Sequence, residues 1–139
     1  MLTHSAAEIR MITRTVPHIV QYQGSKRNLA PLILQYMPRK FNRLIEPFAG
    51  MAAITIAVSK QQRANQYSLN DLNAPLMGIL REAIETPDVL VAEYSKVWNE
   101  QLVFEGGSVA HFYKVRDEFN AGDKSAANML YLLARCVKG

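Results

Sequence analysis

Apolar residues in this chain gather in short runs divided by polar turns, and the period inside each run separates strands from helices. "HIVQY" (18–22) alternates and predicts a short strand, running into the turn chemistry of "QGSKRN". "LAPLILQYM" (29–37) is apolar all round and predicts a mostly buried helix, with Pro31 in its first turn, where a missing N–H is harmless. "NRLIEPF" (42–48) predicts a strand ending at a glycine turn, "MAAITIAVSKQQ" (51–62) the helix after it, and "NQYSLNDLN" (65–73) a second strand with a polar end. Helices follow: "PLMGILREAIE" (75–85) with Pro75 in its first turn, and "DVLVAEYSKVWNEQLV" (88–103) with Asp88 as its cap. After the break "EGG" (105–107), Ser108 is the predicted cap of "VAHFYKVRDEFN", where Phe112, Arg116 and Phe119 share one face. "KSAANMLYLLARCVKG" closes as another helix, and residues 1–17, polar and weakly periodic, predict an arm or short capping helix. The order is that of an open α/β sheet opening with βαβ units, the architecture in which ligands gather at the carboxyl ends of the strands.

Length and composition, at 139 residues with 49% hydrophobic and 20% charged, suit one packed domain with a single core and argue against disorder. No apolar run approaches the roughly 20 residues that span a bilayer, and the first 20 residues lack a secretory pattern. The expectation is a cytoplasmic protein with no membrane partner. Cys136 is the single cysteine, which excludes an intramolecular disulfide and fits a reducing compartment. In "NMLYLLARC" it reads as a small apolar packing residue rather than a nucleophile. Charge is uneven: residues 1–63 carry a net +7 and residues 64–139 a net −3. A basic half points to a polyanion such as DNA or RNA, with a scattered solvated surface as the alternative.

"EPFAG" (46–50) raises a specific chemical question. A carboxylate, a proline and a glycine stand between a strand and a helix, where an unpartnered Glu46 would be costly and Gly50 sacrifices propensity for either element. Gly50 lets backbone approach a ligand, and the helix that follows offers free N–H groups. Asp71, at the end of the second strand, lies 21 residues beyond Gly50, near the separation of about 20 at which a carboxylate meets ribose hydroxyls. The dinucleotide fingerprint is incomplete, because Ala52 stands where a second glycine is wanted and no third follows. This disfavours a nicotinamide-dependent oxidoreductase and leaves a nucleoside without phosphates. "YQGSK" (22–26) is no phosphate loop either, lacking the earlier glycine and carrying Arg27 after Lys26. A lysine on such a turn suits a ligand carboxylate, of the kind S-adenosylmethionine has, with a solvent-exposed loop lysine as the alternative.

Taken together, "YQGSK", "EPFAG" and "SLNDLN", followed by "HFYKVRDEFN" and "AANMLYLLARCVKG", resemble the DNA adenine-N6 methyltransferases of the Dam-like alpha group over residues 19–139. The resemblance implies an incomplete Rossmann-like S-adenosylmethionine-dependent sheet flanked by helices, with a helical C-terminal segment. It implies that residues 18–139 are the N-terminal part of a methyltransferase domain, and that the cofactor is bound by Tyr22, Gly24, Ser25, Lys26, Glu46, Pro47, Phe48, Gly50 and Asp71. Within that set Tyr22 packs on the cofactor, Lys26 holds its methionine carboxylate and Asp71 binds its ribose. The implied substrate is double-stranded DNA. Ala52 departs from the family, whose glycine turn often has a second glycine there.

That family holds the adenine amino group with an Asp-Pro-Pro-Tyr type motif. All six prolines here stand alone, so no catalytic residue is assigned. The expectation is a fragment or subunit, inactive alone, that needs a complementary chain or self-association to cover the edge of its sheet. A non-catalytic basic α/β module that binds nucleic acid is the alternative. His4, His18 and His111 show no metal-ligand spacing with each other or with Cys136, and no metal is assigned. Tyr94 and Trp98 read as packing, Arg116 and Arg135 as structural ion-pair partners, and Arg10 and Arg14 as candidates for a DNA-binding arm by charge alone.

Overall fold

A computed structural model describes residues 16–136. The expected arm, with Arg10 and Arg14, lies outside the described residues apart from Val16 and Pro17. The chain forms two compact units that divide between Leu72 and Asn73, and each has a hydrophobic core cluster of its own, where a single core was expected.

The first unit is α/β. Strands β1 (Phe41–Glu46) and β2 (Ala64–Leu69) pair in parallel, with Leu44 opposite Tyr67 and Glu46 opposite Leu69. Helix α1 (Ala30–Gln35) precedes β1, and α2 (Ala53–Lys60) connects the strands. Their core joins Ala30 and Leu34 of α1, Leu44 of β1, and Ile54, Ala57 and Val58 of α2, with Val16 packed among them. Parallel strands require such a crossover, since no tight turn can return the chain to the same end of the sheet.

Three local expectations change here. Residues 18–22 form no strand: Val20 is buried while His18, Ile19 and Gln21 are exposed, and among the described residues the segment has no ladder partner. Alternation of residue type does not supply the partner whose hydrogen bonds make a strand. Helix α1 is shorter than its apolar run and buries one face only, leaving Leu29 and Leu32 exposed. Among the described residues the sheet has two strands, so the observed class is mixed α/β.

The second unit is helical: α3 (Ala74–Glu85), α4 (Pro87–Glu100), α5 (Gly107–Ala121) and α6 (Ala126–Arg135). Asn73 caps α3 through a bond from the Leu76 amide, and Ser125 caps α6 through the Asn128 amide. Asp88 is not a cap: Pro87 takes the first helical position, Thr86 becomes the cap residue, and Asp88 falls in the first turn, where its charge still complements the helix dipole. Ser108 is likewise inside its helix, because Gly106, at φ 85°, turns the chain in earlier.

Tyr131 is fully buried at the centre of this unit, with Val115 and Leu132, and Tyr94, Trp98, Phe112 and Phe119 pack around them. Tyr94 and Trp98 are packing residues, as their spacing predicts, with rings 5.8 Å apart. Arg116 pairs with Asp117 at 2.8 Å and stacks on Tyr113. Arg135 lies over the Trp98 ring, with no acidic partner among the described residues. Cys136 is exposed at the end of α6, which corrects its reading as a packing residue: the helix stops before carrying it inward. Among the described residues no helix is long and apolar enough to cross a membrane.

Candidate functional site

β1 delivers Glu46 to the carboxyl end of the sheet, and the chain leaving β2 delivers Asp71 to the same end. Two further backbone bonds stitch the strand ends beyond the ladder, from the Asn70 amide to the Glu46 carbonyl (3.0 Å) and from the Ala49 amide to the Asn70 carbonyl (2.9 Å). The glycine turn is thus held in place by backbone alone before any side chain acts.

Glu46 resolves the question its sequence position poses. It is buried, and its Oε2 accepts from the Thr55 amide (3.0 Å) and the Thr55 hydroxyl (2.8 Å). Thr55 lies in the first turn of α2, whose own cap residue, Ala52, offers no side-chain acceptor. The strand therefore supplies the helix cap that the local sequence lacks, and the carboxylate sits where the positive end of the helix dipole favours it. Ala52 adopts φ 55°, ψ 37°, a left-handed conformation that costs an L-residue about 1–2 kcal/mol. The departure from glycine at this position is accommodated as local strain.

Asp71 closes the turn from the other strand: its Oδ2 accepts from the Gly50 amide at 2.9 Å. Gly50 has φ 51°, and a Cβ added there would meet the Tyr22 ring at 3.7 Å. The requirement for glycine at position 50 is therefore conformational rather than steric. Lys26 reaches across from the "YQGSK" loop and donates from Nζ to the Phe48 carbonyl at 3.3 Å. Ser25 accepts from the Arg27 amide and so caps the 3₁₀ turn Lys26–Asn28.

These bonds enclose a cavity of about 170 Å³ in the α/β unit. Tyr22, Gly24, Ser25, Lys26, Glu46, Phe48, Gly50 and Asp71 all line it, together with Ala49, Met51 and Ala53. Pro47 is exposed in the same turn and is not among the lining residues. Sequence reasoning missed Ala49, Met51 and Ala53, which line the cavity with little chemistry of their own, and Thr55, whose only signal was its place in the first turn after a carboxylate-bearing strand. His18 is exposed in the loop before the cavity. His111 is fully buried in the helical unit, with Nδ1 3.1 Å from the Tyr131 hydroxyl.

The arrangement offers a ligand an aromatic ring, a lysine ammonium, two anchored carboxylates and a strained backbone turn in one concavity. Comparison with known proteins gives this geometry a family. The family model for D12 class N6 adenine-specific DNA methyltransferases matches residues 22–139. The type II methyltransferase M1.LlaDCHI of Lactococcus lactis subsp. cremoris is 32% identical over 71 residues, covering 51% of this chain and 24% of that protein. The type II methyltransferase M.MjaIII of Methanocaldococcus jannaschii is 25% identical over 136 residues, covering 89% of this chain and 47% of that protein. The chain thus spans about half the length, or less, of these curated relatives. No solved structure matches it significantly. Because the family match begins at Tyr22 and takes in every residue lining the cavity, the chain belongs to the D12 class N6 adenine-specific DNA methyltransferase family.

Proposed function

We propose that this chain provides the S-adenosylmethionine-binding portion of a DNA adenine-N6 methyltransferase acting on double-stranded DNA in the cytoplasm, on a Rossmann-like sheet whose first two strands are β1 and β2. The observation that carries the proposal is the union of three separate motifs in one cavity, tied by the Gly50 amide to Asp71 bond. The donor set suits the cofactor. Lys26 carries three N–H donors, more than its single bond to Phe48 uses, and can meet a carboxylate. Asp71 stands where a ribose is expected, and Tyr22 presents a half-buried ring. Glu46 keeps the start of α2 in place through Thr55, which makes it a positioning residue first.

When bound, the cofactor supplies an electrophilic methyl group on a sulfonium. What this chain does is hold and orient it. Accepting the amino hydrogens of a flipped adenine requires oxygen acceptors beside an aromatic ring, and these 139 residues contain no Pro-Pro pair from which such a motif is built. Methyl transfer therefore depends on a complementary segment, in the same polypeptide or in a second one, that also pairs with the sheet edge.

Calorimetric titration of S-adenosylmethionine and S-adenosylhomocysteine into the chain tests this, with Asp71→Ala and Lys26→Ala as variants. Binding by the parent chain that weakens about tenfold or more in each variant, the expected cost of losing one charge-assisted hydrogen bond, supports it. No binding by a folded parent chain, alone or with a complementary chain, sinks it in favour of a nucleic-acid module that uses no cofactor.

A further inference from the structure

The α/β unit also gathers charge at the end of its sheet opposite the cavity. Between Arg39 and Leu69 the chain has five cations, Arg39, Lys40, Arg43, Lys60 and Arg63, and a single acid, Glu46, which is buried at the carboxyl end of β1 and bound to Thr55. All five cations belong to the amino-end half of the sheet. Arg39 and Lys40 lead into β1, Lys60 closes α2, Arg63 leads into β2, and the Phe41 amide bonds the Arg63 carbonyl to bring the starts of both strands together.

Three of these cations are held by uncharged acceptors. Lys40 donates to the Gln62 carbonyl (2.6 Å), Arg63 to the Leu34 carbonyl (2.6 Å) and Gln61 Oε1 (2.7 Å), and Arg43 twice to Gln66 Oε1. Such bonds fix a guanidinium or ammonium in position and leave its charge uncancelled, whereas a carboxylate partner would erase the field outside. Tyr36, 84% exposed at the end of α1 and near the carbonyl that Arg63 holds, adds a phenol of the kind that contacts phosphate or sugar.

We propose that this amino-end patch is a second nucleic-acid contact, gripping the phosphodiester backbone of duplex DNA without sequence preference and independently of the cofactor cavity. The patch has cations at fixed spacing and one exposed aromatic, which suits a ladder of phosphates better than a lipid surface, where an apolar face must also insert. The choice of DNA as the polyanion rests on the methyltransferase reading; the existence of an anion-binding surface does not.

The test is fluorescence anisotropy of a short labelled duplex titrated with the full 139-residue chain from low to physiological salt, comparing the parent with Arg39→Gln/Lys40→Gln and with Lys96→Gln, an exposed cation of the helical unit. Each phosphate that is no longer neutralised lowers the slope of log affinity against log salt by about 0.9. The double variant is therefore expected to lose about 1.8 of slope and about tenfold in affinity at low salt, with Lys96→Gln unchanged. Should the double variant fail to fold by circular dichroism, Arg39→Gln alone carries the test with a slope change of about 0.9. An unchanged slope in a folded variant overturns the proposal. So does a slope lost in Lys96→Gln as much as in the double variant, or displacement of DNA by phosphatidylserine vesicles at equal phosphate. Cofactor binding that fails while the salt slope behaves as stated would sink the methyltransferase reading and leave the patch standing.

Discussion

The two units place their buried polar groups in opposite ways. In the α/β unit the carboxylates Glu46 and Asp71 end on backbone amides of a turn and of a helix start, and three of its four described residues with positive φ, Gly24, Gly50 and Ala52, lie in the loops around the cavity, the fourth being Gln62 before β2. In the helical unit the polar groups bond one another inside an aromatic core: the Tyr131 hydroxyl takes His111 Nδ1 at 3.1 Å and donates to Gln101 Oε1 at 3.3 Å. The first arrangement organises backbone at a concave surface, so it prepares a ligand site. The second pairs side chains with one another in the core, with His111 Nε2 left without a hydrogen bond and 3.6 Å from the Glu100 carboxylate, so it specifies how helices pack. Polar burial alone therefore does not mark function; what the polar group bonds, and whether a cavity lies beside it, separates the two.

Substitutions can break that contrast, beginning with the largest effect. Tyr131→Ala empties the centre of the helical core and is expected to cost about 3–5 kcal/mol in denaturant unfolding. Glu46→Ala removes the only side-chain cap the structure gives α2. A loss of about 2–3 kcal/mol is expected, since a charge-assisted bond and a cap go together, while Glu46→Gln, which keeps an acceptor, should lose about half of that. If both Glu46 variants were as stable as the parent, the carboxylate would not be anchoring the turn. Tyr131→Phe keeps the ring and deletes the hydroxyl between His111 and Gln101, for about 1–2 kcal/mol.

At the small end lies the left-handed alanine. Ala52→Gly relieves backbone strain while losing a buried methyl and adding unfolded-state entropy, so a change within about 0.5 kcal/mol is expected. The neighbouring Ala53→Gly, inside the first turn of α2, should cost about 1 kcal/mol. Equal costs at the two positions would show that the φ of Ala52 carries no strain.

Alkaline pH sharpens the same comparison. Burial raises the phenol pKa of Tyr94, with a further push from Tyr131, and raises that of Tyr131 against a lowering by Arg135. The folded chain thus keeps phenol protons that the unfolded chain has released. Stability from this source is full below a pH of about 10 and falls as pH rises through and beyond it. Thermal melts of the parent against Tyr94→Phe/Tyr131→Phe across that range should show the alkaline loss flattened in the variant.

Several features were legible from local chemistry. Pro31 and Pro75 stand in first turns as their missing N–H groups dictate. Strand β1 begins and ends within a residue or two of its predicted run, and β2 stops before its polar end, because a short β-prone run bounded by turn residues carries its own limits. Gly50 and Asp71 meet in one cavity because a βαβ unit brings strand ends together whatever the sequence between them, and the loop before α1 brings Tyr22 and Lys26 to the same cavity. Residues 18–22 mislead because their alternation of residue type does not fix burial, and a strand exists only where a neighbour completes its ladder.

The sequence by itself determined which residues carry charge, where turns must fall and which family the motifs resemble, since these depend on residue type and near-neighbour spacing. Tertiary structure alone decided that Glu46 belongs to Thr55, that Asp71 holds the Gly50 amide, that Cys136 stays outside its helix's core, and that five dispersed cations converge at one end of the sheet. The physical reason is that each of these rests on pairings between distant positions, and burial and hydrogen-bond partners are set by what the fold brings within about 3 Å, which no local pattern specifies.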